Sequence, residues 1–242
     1  MHQLKRPDFG SEVDGTTILF GGFGGYISSD VNFDVSRSKS EISGGQFGGY
    51  VTFLNNGFFF DLLGKVDVMD LKYKLPTVGS SSSDVFNYGI VADTGYRMGD
   101  ENGFIEPVAS FVWLESDIDP YNIAGSTVLF NDVSSVRLGG GARAGTGWRT
   151  EDGGLTELSI VGRVWNEFEG NYVTSIRSNG QNFVATDNID GVFGEVTGYF
   201  NWMMDQQTSM FVKAGSKFNS DFYTVTGMVG VRYNFGEGLV NN

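Results

Sequence analysis

The chain contains no cysteine, so it can form neither a disulfide framework nor a thiolate metal site. Its only histidine, His2, lies in the first few residues. That leaves the body of the chain without a Ser–His or Cys–His nucleophile and without a His-rich metal site. Basic residues are few: 16 Lys and Arg stand against 29 Asp and Glu, a net charge of −13. Such a balance argues against nucleic acid, because phosphate binding needs a basic face. No apolar run reaches the roughly 18 residues that a membrane helix requires. Membrane β-strands remain open, since each crosses with about ten residues of alternating character. The opening residues, MHQLKRPDFGSEVDG, lack the apolar stretch of a signal peptide. If the protein is exported, its precursor is expected to start upstream of Met1.

What the chain does contain is glycine (36 residues), aromatics (14%) and a strict period of two. In the stretch 223–235, Tyr223, Val225, Gly227, Val229, Val231, Tyr233 and Phe235 hold one parity. Thr224, Thr226, Met228, Gly230, Arg232 and Asn234 hold the other. This is the mark of a β-strand with two different faces. Ten such strands are predicted, near 16–27, 43–54, 57–73, 85–98, 103–116, 134–149, 155–168, 190–202, 207–218 and 222–235. Tight polar turns at Asn55-Asn56, 99–102, 150–154 and 203–206 alternate with longer polar segments at 28–42, 74–84, 117–133 and 169–189. The last connection, near 219–221, is short. Tight turns force an antiparallel meander.

A soluble β-sandwich also alternates, but its strands average five or six residues, far fewer than here. The aromatics Trp113, Trp148, Phe168, Trp202, Tyr223, Tyr233 and Phe235 fall near strand ends, where interfacial girdles belong. The fold class is therefore read as all-β, a transmembrane antiparallel up-and-down barrel with ten strands visible. Three parts are expected: an N-terminal segment or linker at 1–15, the outer-membrane barrel at 16–235, and a C-terminal tail at 236–242. With an even number of strands, both ends of the chain fall on the short-turn, periplasmic side.

If the apolar parity meets lipid, the other parity lines the interior. It holds Asp61, Lys65, Asp67, Asp93, Arg97, Glu106, Arg137, Arg143, Glu157, Arg163, Glu167, Glu195, Lys213, Lys217 and Arg232. On the lipid side each charge would cost a few kcal/mol near the midplane. Inside, the charges can line a hydrated conduit, or they can pair and rigidify a narrow barrel that its own side chains fill. Arg97 and Glu106, on neighbouring strands, are a candidate pair. The acidic excess falls in turns and loops.

Four stretches resemble the C-terminal β-domain of autotransporters, the translocators of type V secretion in Gram-negative bacteria. YVTFLNNGFFFDLLGKV (50–66) is similar to that family's aromatic-rich hairpin. YGIVADTGYRM (88–98) resembles its Gly-Tyr-Arg strand, GFIEPVASFVW (103–113) its Glu-Pro strand, and GMVGVRYNF (227–235) its final strand. The resemblance runs from about Thr16 to Phe235. It implies a twelve-stranded barrel with an α-helical linker through its pore, carrying an N-terminal passenger in cis to the cell surface. The match begins at what would be the family's third strand. The resemblance also implies that Tyr233 and Phe235 form the signal read by the barrel-assembly machinery.

The expected function is thus an outer-membrane translocator that exports or anchors a passenger, with the lipid bilayer, the assembly machinery and the passenger as partners. The alternative is a standalone small outer-membrane channel or structural barrel, with segments 28–42, 117–133 and 169–189 as ligand-binding surface loops. No enzymatic activity and no cofactor are expected. GGGARA (139–144) formally fits a dinucleotide fingerprint, but it lies inside an alternating strand and not at a strand-to-helix turn. Its glycines are read as thinning the wall and letting the sheet curve. The Asp-rich segments 117–119 and 187–190 lack the spacing of an EF-hand.

Overall fold

The computed structural model describes residues 10–13, 16–33, 37–76, 79–100, 102–131, 133–149, 154–204 and 208–233. Among the described residues sixteen strands form: β1 Gly10–Val13, β2 Thr16–Phe33, β3 Ser38–Asn55, β4 Phe58–Leu75, β5 Gly79–Tyr96, β6 Met98–Asp100, β7 Gly103–Ile118, β8 Tyr121–Ile123, β9 Ser126–Phe130, β10 Val133–Arg149, β11 Leu155–Glu167, β12 Asn171–Ser178, β13 Gln181–Asn188, β14 Gly191–Met203, β15 Thr208–Phe218 and β16 Tyr223–Tyr233. Twelve belong to one antiparallel sheet in the order β1-β2-β3-β4-β5-β7-β10-β11-β14-β15-β16, with β6 also on β7. Ten of these are long, and they are the ten strands predicted. Each pairs antiparallel with the next of the ten along the chain, which tight turns enforce where they occur. Asn56 and Gly57 both take positive φ, 47° and 89°. That is the backbone of a two-residue hairpin whose twist suits the flanking strands.

The sheet curls, and the packing shows which face is concave. Val108 on β7 and Val161 on β11 belong to one buried cluster with Phe59 of β4. Neighbouring strands lie about 4.8 Å apart, so two valines two strands apart cannot meet across a flat sheet. The same face carries Glu106, Arg163 and Glu195. The opposite, convex face is apolar and exposed: on β16 Tyr223, Val225, Val229 and Val231 are all close to 70% exposed. On β4 the exposed row runs from Phe58 to Val68, and along β11 from Leu158 to Phe168 just past the strand's end. Those eleven-residue spans match what a tilted strand needs to cross hydrocarbon. Trp148, Trp202, Phe168 and Tyr223 are exposed at the two rims of the band.

Ladder continuity breaks once, between β5 and β6. The register places Pro107 opposite Tyr96, and proline has no N–H to give to the ladder. On its other side the Arg97 amide donates to Gly57 O at 2.7 Å, continuing the β4–β5 register by one residue. Carried across the break, the register sets Arg97 opposite Glu106.

Two features differ from the sequence reading. Segments 28–42 and 74–84 are mostly strand and not loop: β2 runs to Phe33, β3 starts at Ser38, β4 runs to Leu75 and β5 starts at Gly79. Beyond the apolar band the two faces exchange character. The convex side becomes polar (Asp30, Lys39, Glu41, Asp70, Lys72, Lys74), while the concave side carries Val31, Phe33, Ile42, Leu71 and Tyr73. Segments 117–133 and 169–189 hold a second sheet, β13-β12-β9-β8. It seats Tyr121 on Tyr73 in a stacked contact, ring centroids 6.2 Å apart, and β5 receives it through Asp119 N to Asp84 O at 3.0 Å.

Candidate functional site on the concave face

The charged residues on the concave face form three linked groups. Nearest the short turns, Glu106 is 1% exposed. Its Oε2 accepts from Arg97 Nε at 2.9 Å and its Oε1 from Arg143 at 2.7 Å. Arg97 also donates to Glu157 at 3.1 Å and lies 3.7 Å over the Phe104 ring. The Arg97–Glu106 pair expected from the sequence therefore forms. Glu157, one strand beyond Arg143, extends it into a network.

The middle group is centred on Glu195. Arg163 donates to it at 3.3 Å and reaches Asp93 of β5 at 3.8 Å, three strands away. Trp165 Nε1 donates to Glu195 at 3.1 Å, Thr197 at 3.2 Å, and Lys217 stands 3.8 Å off. Ser110 donates to Asp93. Asp61 is the direct cross-strand partner of Asp93.

At the third level Glu167, 2% exposed, accepts from Arg137, from Ser135 Oγ at 2.8 Å and from the Val136 amide at 2.9 Å. Apart from these groups, Lys65 pairs with Asp67 at 2.8 Å. Lys213 lies 5.4 Å from the Tyr199 ring and has no ion pair among the described residues. Arg232 and Tyr233 belong to β16 by backbone, but their side chains lie outside the described residues, as does Phe235.

Several concave-face residues were not singled out in the sequence. Trp165, Phe104 and Phe193 share the odd or even parity of the charges but are apolar, so a search for ionisable groups passes over them. Phe104 supplies the ring face for Arg97 and Phe193 the one near Arg137 and Lys217, while Trp165 stacks on Phe193. Half-buried cations of this kind gain from rings and carboxylates together, in surroundings where an unpaired charge is costly. The glycines of β10 leave the room. A Cβ on Gly139 would meet the Trp165 ring at 2.5 Å, and one on Gly141 would meet Gly162 O at 1.9 Å.

An exposed apolar band on the convex face, rimmed by aromatics, backed by a buried charge network on the concave face, defines a β-barrel protein of the outer-membrane type. The family described as "Autotransporter beta-domain" matches residues 9–215, and the chain belongs to it. It is an outer-membrane translocator domain of that type. Two solved structures share the fold. The β domain of the Bordetella autotransporter BrkA superposes with a TM-score of 0.69 at 16% identity, covering 94% of this chain and 87% of that one. The transport unit of the autotransporter AIDA-I from Escherichia coli gives 0.70 at 13% identity, covering 94% and 78%. A search of the curated proteins finds no match.

Proposed function

We propose that this β-domain, embedded in the bacterial outer membrane, carries an N-terminal passenger in cis to the cell surface, and that its concave face lines the path. The observation that carries the reading is the two-faced wall: lipid-compatible residues outside, and inside a network of buried carboxylates (Asp67, Glu106, Glu167, Glu195) with half-buried Arg and Lys around them. The residues assigned to the lumen are the fifteen charges from Asp61 to Arg232 named above. The membrane body is 16–235, with β1 adding a short edge, 1–15 as the lead-in segment and 236–242 as the tail. Tyr233 and Phe235 serve as the signal for the barrel-assembly machinery. The chain has no enzymatic role of its own in this reading.

Surface display tests it. An epitope fused upstream of residue 1 should become accessible to antibody and to protease on intact Gram-negative cells. An epitope that stays inside while the β-domain inserts normally would reject transport and leave a standalone barrel.

A further inference from the structure

On the concave face, lined by residues of β5, β7, β10, β11, β14 and β15, lies a cavity of about 200 Å³. Four cations line it, Arg137, Arg163, Lys213 and Lys217, against two carboxylates, Asp93 and Glu195. Arg137 is neutralised from outside the cavity by Glu167, whose oxygens also serve Ser135 and the Val136 amide. Glu195 is divided among Arg163, Lys217, Trp165 and Thr197. The positive groups therefore outnumber the acceptors available to them.

Two of the cations show the consequence. The Arg163 side chain is 8% exposed, yet its Nε has no hydrogen-bond partner. Lys213 is held only by the ring of Tyr199, with no described carboxylate within ion-pair distance. A buried guanidinium nitrogen left unpaired is costly, and an anion that reaches it recovers the loss. The cavity walls are the flat faces of Trp165 and Phe193, stacked with centroids 6.3 Å apart. The Phe193 ring lies 5.9 Å from the Arg137 guanidinium and 5.8 Å from Lys217 Nζ, and both side chains line the cavity.

We propose that this cavity is an anion-binding site which takes a carboxylate or phosphate group, using Arg163, Lys213 and Lys217 as donors. The inference rests on the concave face lining a lumen. Two sources share the chemistry: an acidic side chain of polypeptide inside the lumen, or free phosphate. Either would complete the coordination that Asp93 and Glu195 leave unfinished.

Isothermal titration of the full chain, folded in detergent, decides the matter. The probes are inorganic phosphate, a Glu-rich peptide, and the same peptide with Gln in place of Glu. Saturable binding of phosphate or of the Glu peptide, but not of the Gln peptide, is expected. It should weaken about tenfold or more in the K213Q/K217Q double variant, the size of one lost charge-assisted contact. The K65Q variant, on the same face but outside the cavity, should bind as the parent does. Binding of the peptide alone assigns the site to polypeptide, and binding of phosphate alone assigns it to a small anion. Absence of saturable binding to either, or binding unchanged in K213Q/K217Q, overturns the proposal. Surface display of a fused passenger is read separately, so loss of the anion site and loss of transport are distinguishable.

Discussion

At the scale of single residues, Glu106 has the most to lose. It is fully buried between two guanidiniums, and removing one member of a buried ion pair typically costs about 3–5 kcal/mol because the partner charge stays behind. Glu106→Gln is expected to lower the unfolding free energy of the refolded barrel, read from urea titration, by an amount in that range, and more than Arg97→Gln does. A double-mutant cycle on the pair should give a coupling of about 1–3 kcal/mol. A coupling indistinguishable from zero would mean that the 2.9 Å contact contributes nothing. The glycines give a second contrast. A Cβ at Gly141 has no space, whereas one at Gly64 meets nothing within 4 Å. Gly141→Ala should therefore destabilise by about 1–3 kcal/mol, the usual cost of overpacking, while Gly64→Ala should leave the unfolding midpoint unchanged. Equal effects would show that the wall relaxes freely. Parity made the identity of the concave-face charges legible in the sequence. Their partners were legible only between adjacent strands. The reach of Arg163 to Asp93 depends on curvature, which no local pattern encodes.

At the scale of elements, the ten long strands were legible because most keep a period of two through the apolar band; the first, TTILFGGFGGYI, is too Gly-rich to show its faces. Their outer ends were not. There the convex face turns polar and the concave face apolar, so a search for an apolar lipid face finds turn-like composition at 28–42 and 74–84. The second sheet was missed because its strands are only three to eight residues long. One signal was available: Asn179-Gly180, both at positive φ, is a strong hairpin dipeptide between two alternating runs. The outer ends also carry a testable ion cluster. Lys39 and Lys74 are Cα partners on β3 and β4, and both donate to Glu41 at 2.9 Å. Lys39 first, then Lys74, holds the Glu41 carboxyl down to about 2. A depressed carboxylate contributes stability that is fully present above its unfolded value, near ~4.3, and that disappears as pH falls through about 2. Local protection at the β3–β4 outer end should thus persist through pH 4 and be lost only in stronger acid. Carboxyl NMR titration should find Glu41 well below an ordinary glutamate and moving upward in Lys39→Gln, with a smaller shift in Lys74→Gln. A Glu41 that titrates in the ordinary range in the parent protein would remove the cluster.

At the scale of the whole molecule, the open question for the wall is its two edges. Among the described residues β16 pairs only with β15, and β1 covers only Thr16 to Leu19 of β2. The rest of the β2 edge, and the full length of β16, face outward without a ladder. Both edges lie at the level of the apolar band, since Phe20 and Val229 are exposed there. In hydrocarbon every bare N–H or C=O costs several kcal/mol, so a wall of this kind is stable in a bilayer only when its edges are joined to each other or to further strands. The distinction is visible in amide exchange along Tyr223–Tyr233. In an open edge strand the amides alternate: those pointing at β15 are protected, and those pointing away exchange fast. In a joined wall both sets are protected. Folded into lipid vesicles, the protein is expected to show slow exchange at consecutive positions of β16, with no alternation. Introducing proline at Val229, in the middle of the strand, should then destabilise the whole barrel, because no edge remains at which a missing donor is tolerated. Alternating protection along β16 in vesicles, with Val229→Pro tolerated, would mean that the sheet stands open in the membrane and that the cost of its edge is met by water inside the curl.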